Sequence, residues 1–91
     1  TTIARAAVRH LEHGEEAGGL SGAPVRDKAT AVIRELSTHL QGRIPIIGVG
    51  GIMCGEDAAE KMVAGASLVQ LYSGFIYAGP QLIADSVRAI R

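Results

Sequence analysis

Two short stretches hold the residues best suited to chemistry. In "GVGGI", Gly48, Gly50 and Gly51 end an apolar run; in "YSGF", Ser73 and Gly74 end a second one about twenty positions later. Glycines at such points let backbone N–H groups approach a ligand with no Cβ in the way, and successive N–H groups can turn inward as an anion nest. Ser73 adds a hydroxyl donor, with a short helical segment from Gly74 to Ala78 behind it. One such turn alone is most simply a tight turn. Two of them at consecutive strand ends point to a phosphate, which barrel enzymes often hold at the N-terminus of a short extra helix. The spacing in GVGGI does not fit G-x-G-x-x-G, and no acidic residue follows where a ribose would need one, so a dinucleotide site is not indicated.

Other reactive side chains read more plainly. His10 and His13 stand three apart beside Glu12, Glu15 and Glu16; they are assigned to a solvated charged segment rather than to a metal site. His39 falls near the end of a helix, where it favours the dipole. Cys54 has no nameable base and is read as a small neutral side chain near a helix start.

The elements that must position these groups follow from periodicity. Residues 27–41 carry Ala29, Val32, Ile33, Leu36 and Leu40 on one stripe, and Gly42 is expected to stop that helix. "IPIIGV" reads as a strand covered on both faces. Residues 55–64 open with Glu56 and Asp57, where the dipole favours negative charge, repeat apolar positions at Ala59, Met62 and Val63, and end at Gly65. "SLVQL" is a second buried strand whose Gln70 needs a hydrogen-bond partner if buried. After Pro80, Leu82, Ile83, Val87 and Ile90 mark a final helix. From residue 27 the order is helix, strand, helix, strand, helix, which implies parallel strands. Two such strands cannot cover themselves, so an α/β body that belongs to a larger sheet or barrel, cut on its N-terminal side, is expected. Residues 1–26 form a second region: a helical pattern through Ile3, Ala7 and Leu11 dissolves into Gly, Glu and Ser, and its length favours a functional loop excursion.

Composition narrows the classes. The 91 residues allow one small domain, with nine basic against nine acidic side chains, which gives no nucleic-acid footprint. A single cysteine excludes an internal disulfide and favours an intracellular, soluble chain. No apolar run reaches the ~20 residues of a membrane span, and the first ten residues lack a signal-peptide pattern.

Four blocks, "AGGLSGAP" (17–24), "IPIIGVGGI" (44–52), "AGASLVQLYSGF" (64–75) and "GP" (79–80), together resemble the C-terminal part of class 2, quinone-linked dihydroorotate dehydrogenases, over essentially the whole chain. The resemblance implies the last two strands and helices of a (β/α)8 TIM barrel that holds FMN at its strand ends. It implies that Gly22 and Gly51 make backbone contacts to FMN, that Tyr72 and Ser73 lie at the flavin phosphate, and that Thr1 touches the dihydroorotate or orotate, next to an Asn expected just before it. In the family a hydride passes from substrate to flavin, and electrons then pass to a quinone. The serine base, the groups around the flavin ring and the helices of the quinone and membrane site have no counterpart here and are expected upstream. The isolated chain is therefore expected to be inactive, and the complete enzyme peripheral to a bacterial or mitochondrial inner membrane. Two rivals are another phosphate-binding barrel, such as an IMP dehydrogenase or glycolate-oxidase relative, and a non-catalytic half-barrel that binds phosphate ligands or pairs with itself.

Overall fold

The computed structural model describes residues 1–91. Its elements are a 3-10 turn at Ala23–Val25, α1 Arg26–Leu40, β1 Ile47–Val49, α2 Gly55–Ala64, β2 Leu68–Gln70, α3 Ser73–Ala78 and α4 Gln81–Ile90. β1 and β2 pair in parallel, with Ile47 opposite Leu68, Gly48 opposite Val69 and Val49 opposite Gln70. The helix–strand–helix–strand–helix order from α1 onward is the expected one.

Helix ends follow local chemistry. α1 reverses at Gln41, a left-handed residue (φ 50°), one position before the expected Gly42. The Arg43 guanidinium then donates to the carbonyls of His39 and Leu40, taking up two of the acceptors the helix end leaves open. α2 ends at Gly65 (φ 126°), where a side chain would run into Ser37. α3 starts at Ser73, one residue earlier than read, and Pro80 caps α4 rather than opening it.

The molecule is a slab 15 Å through its thinnest axis, one sheet and one layer of helices. Ile33, Ala64 and Ala66 form the buried cluster between them, with Ile46 and Met62 packed against it. Gly48 faces this layer and is buried, whereas Ile47, Val49 and Leu68 stay 54%, 41% and 63% exposed. The strands are thus covered on one face and not on two, because both packed helices lie on the Gly48 side; the other face is the one a closed barrel turns inward. Gln70 lies on that open face and is not buried.

Three helix faces differ from the apolar stripes. α1 buries Thr30 and Ile33 and leaves Val32 and Leu36 about half exposed. α2 buries Asp57, Ala58, Lys61 and Ala64, while Val63 is 86% exposed. α4 buries Leu82 and Ser86, and leaves Ile83 and Val87 about half exposed. α2 and α4 approach closely at Gly55, where a Cβ would stand 2.9 Å from the Asp85 carbonyl. The Ser86 hydroxyl is buried there without a hydrogen-bond partner.

Residues 1–20 are not helical. They fold as successive turns, with N–H donation from Val8 to Arg5, Leu11 to Val8 and Gly14 to Leu11, and return to pair Thr2 with Leu20 in an antiparallel bridge. The Arg5 guanidinium holds the loop by donating to the carbonyls of Glu16 and Gly18. The excursion is therefore a closed loop that delivers the chain to the GLSG turn.

A cleft at the strand ends as candidate functional site

The carboxyl ends of β1 and β2 open onto one cleft of about 250 Å³. Thr1, Gly22, Gly51, Tyr72 and Ser73, spread over the length of the chain, all line it. Val25 and Ile52, each 2% exposed, form its apolar floor.

Backbone-on-backbone packing brings the three turns together. A Cβ on Gly51 (φ 76°) would stand 2.6 Å from the Arg26 nitrogen, so this turn rests directly on the first residue of α1. A Cβ on Gly74 would strike the Ile52 carbonyl and come within 2.8 Å of Leu82, so α3 starts flush against the segment after β1. Gly22 (φ 82°) approaches Ser73 with more room, a Cβ there lying 3.8 Å from the serine Cβ. The Thr1 hydroxyl sits 2.8 Å from that of Ser21, which places the first residue on the same rim.

No side chain caps the 3-10 turn at Gly22 or α3 at Tyr72. First-turn N–H groups left uncapped at a helix start attract an anion. The lining contains hydroxyl, amide, glycine and apolar groups but no charged side chain. Such a cleft can hold an anionic group through backbone and hydroxyl donors, and its lining has no carboxylate, imidazole or amine side chain for proton transfer.

Behind the Gly51 turn lies a polar cluster that periodicity did not reveal. Asp57 is 4% exposed; one carboxylate oxygen accepts from the Met53 N–H at 2.9 Å, and the other faces the Arg26 guanidinium at 3.3 Å. Lys61, wholly buried, donates to the Arg26 carbonyl at 3.1 Å and to the Thr30 hydroxyl, which itself donates to that carbonyl at 2.9 Å. Desolvation lowers the Lys61 pKa. The hydrogen bond and charge of Asp27, joined by the charge of Asp57, raise that of Arg26. The i,i+4 spacing of Asp57 and Lys61 put them on one helix face and was the available signal.

The remaining reactive groups lie elsewhere. Cys54 is exposed, caps α2 with extended backbone and does not line the cleft. The Asp57 backbone N–H lowers its pKa, but burial and the neighbouring Glu56 and Asp57 carboxylates outweigh that and leave the thiol above its ordinary value, a poor setting for a thiolate. His13 pairs with Glu16 at 2.9 Å on the exposed loop. His39 lies in the last turn of α1, 3.9 Å from Glu35.

A parallel α/β unit with a cleft at its strand ends is the arrangement of a piece of a (β/α) barrel. The sequence model described as "Dihydroorotate dehydrogenase" matches residues 1–91, and the chain belongs to that family. It is 66% identical over 90 residues to a dihydroorotate dehydrogenase (quinone) of Pseudomonas fluorescens and 62% identical to one of Teredinibacter turnerae, covering 99% of this chain and 26% of each relative. Among solved structures it is similar to ligand-free DHODH of Eimeria tenella, with a TM-score of 0.90 at 36% identity, covering 99% of this chain and 25% of that one. The same organism's DHODH in complex with ferulenol gives a TM-score of 0.88 at 33% identity. The chain thus spans about a quarter of the length of the relatives it matches, and its fold is part of their TIM barrel. The family match decides against the IMP dehydrogenase and glycolate-oxidase alternatives.

Proposed function

We propose that this chain supplies the phosphate end of the FMN site, and one substrate contact, in a quinone-linked dihydroorotate dehydrogenase that oxidises dihydroorotate to orotate in pyrimidine biosynthesis. The observation that carries the proposal is the convergence of Gly22, Gly51, Tyr72 and Ser73 on one cleft, with Thr1 at its rim. Residues 1–26 act as the loop region and GLSG turn, and residues 27–91 as the scaffold that carries the strand ends.

The residues present fit a phosphate monoester. Gly51 and Gly74 let the two turns pack flush on Arg26 and Ile52 at the edge of the cleft, the 3-10 turn and α3 start uncapped, and Ser73 adds a hydroxyl donor. With no cationic side chain in the lining, the negative charge would rest on N–H dipoles and hydroxyls. Bound FMN supplies the electron acceptance. This chain's residues hold its tail, orient it relative to Thr1, and leave proton abstraction to groups outside these 91 residues. Electron transfer to quinone, and the peripheral attachment to a membrane that a quinone substrate requires, belong to the complete enzyme; no helix here is long and apolar enough to cross a membrane.

The test is Ser73→Ala in the complete enzyme. One hydrogen bond to a charged group among several is lost, so flavin affinity should fall by about 1.5–3 kcal/mol. Single-turnover reduction of flavin-saturated enzyme by dihydroorotate should keep its rate, because the phosphate end is remote from the reacting ring. Unchanged flavin affinity with severely slowed reduction would place Ser73 in the chemistry and overturn the assignment.

A further inference from the structure

The cluster of Arg26, Asp57 and Lys61 lies behind the cleft, lines none of it, and is more elaborate than helix packing needs. Its geometry converges on one residue. Gly51 rests on the Arg26 backbone. The Arg26 carbonyl receives both Lys61 and Thr30, and the Arg26 guanidinium meets Asp57. Asp57 also takes the Met53 N–H, two residues beyond Gly51. The glycine turn is thus held from below through Arg26 and from its far end through Met53, and one helix face of α2 carries both holds.

The placement of Lys61 has a steric cause. Gly48 offers no side chain to fill the layer between β1 and α2; a Cβ there would come within 2.9 Å of the Lys61 Cβ. The lysine stem occupies that space and carries its ammonium group through to the Arg26 carbonyl. An apolar residue would fill the same volume and leave the carbonyl to Thr30 alone. Burying an ammonium group is unfavourable unless its hydrogen bonds are met, and here the desolvation cost remains visible in the lowered Lys61 pKa. A costly side chain kept where a cheaper one would pack implies a demand other than packing.

We propose that Arg26, Asp57 and Lys61 are positioning residues that fix the Gly50–Gly51 turn against the cleft and thereby set affinity for a phosphate ester without touching it. The inference rests on the reading of the cleft as a phosphate site. It assigns the task of pre-organisation, which lowers the cost of ordering a binding loop when ligand arrives. A phosphate group needs several N–H donors at fixed positions, whereas a flavin ring elsewhere in the barrel does not depend on this turn. The consequence is selective: loosening the frame weakens the ligand that carries a phosphate more than the same ligand without it.

The experiment uses the complete apo-enzyme and two probes, FMN and riboflavin, which share the ring system and differ in the phosphate. Lys61→Met keeps the volume and removes both donated hydrogen bonds; the FMN Kd should rise about tenfold or more, the scale of one or two such bonds. The riboflavin Kd should stay within about twofold, a change too small to matter on that scale. Asp57→Ala should behave like Lys61→Met. Asp57→Asn keeps an oxygen for the Met53 N–H but turns an amide NH2 toward the Arg26 guanidinium, so it should recover FMN affinity only in part relative to Asp57→Ala. This pair decides the matter even if Lys61→Met does not fold. Equal weakening of both probes, or unchanged FMN binding in Lys61→Met and Asp57→Ala, overturns the positioning role and reduces the cluster to general support. Wild-type enzyme that binds riboflavin as tightly as FMN removes the phosphate reading itself, a distinct failure visible before any variant is made.

Discussion

The Thr1 hydroxyl lies 2.8 Å from the hydroxyl of Ser21, so the start of the chain is fastened to the GLSG turn rather than left free. The backbone repeats the link one residue on, where the Thr2 N–H donates to the Leu20 carbonyl at 2.8 Å and the Leu20 N–H returns to Thr2 at 2.7 Å. The residues proposed for substrate and for flavin therefore share one rim.

Ser21→Ala should act through Thr1. Losing the hydroxyl frees the threonine rotamer but leaves the backbone bridge, so KM for dihydroorotate should rise about three- to tenfold, the scale of one neutral hydrogen bond. Flavin content should stay at the wild-type level. Loss of flavin with no change in KM would show that Ser21 serves the cofactor side of the rim.

Gly22 and Gly51 should respond differently to alanine. At Gly51 a Cβ meets the Arg26 backbone, which cannot give way as a flexible side chain would, so Gly51→Ala should lower both thermal stability and flavin content. At Gly22 the nearest atom to a Cβ is 3.8 Å away and only the backbone (φ 82°, ψ −159°), a region nearly reserved for glycine, opposes the change, a cost of about 1–3 kcal/mol. Gly22→Ala should therefore yield a folded enzyme with reduced flavin retention, read by absorbance of the purified protein against a melting curve. A larger stability loss at Gly22 than at Gly51 would contradict the packing described.

The buried ammonium of Lys61 makes a signed prediction for pH. Its folded pKa lies below the ordinary lysine value of 10.5, because burial removes solvation. Between those two values the unfolded chain binds more protons than the folded one, so this group's contribution to stability improves as pH rises through the window. Urea unfolding of the complete enzyme, compared with Lys61→Met across the alkaline range up to pH 10.5, should show the wild type gaining on the variant as pH increases. A difference that stays flat would mean that the ammonium is better solvated than its burial implies.

Much of this architecture is legible from residue order. Pro, Gly and the helical stripes mark the elements from α1 to α4 to within a residue or two, except that β1 starts three residues later than the apolar run IPIIGV, and glycines at two successive strand ends mark the cleft. The buried face of α2 is not legible, for a definite reason. A lysine and an aspartate at helical spacing read as a solvated face unless the facing strand residue is known to be Gly48, and that pairing is a tertiary fact. Residues 1–20 mislead in the other direction. Ile3, Ala7 and Leu11 keep helical spacing, but helix nucleation is costly and no neighbouring element covers their face; Ile3 is 88% exposed. The Thr2–Leu20 bridge closes a loop there instead.

The neutral lining of the cleft bears on how a ligand arrives as well as on how it stays. Long-range steering needs net charge near the site; dipoles of N–H groups fall off within a few ångströms. With nine positive and nine negative side chains over the chain and none in the lining, this wall of the barrel exerts little pull on an approaching anion. Capture at this wall is then governed by orientation and by the readiness of the turns, with little electrostatic steering. Added salt, which shortens the reach of fields, finds little field here to shorten. A phosphate held here as proposed would be kept by the fit of the turns, so its residence time would follow the rigidity of the glycine turns more than the surrounding electrolyte.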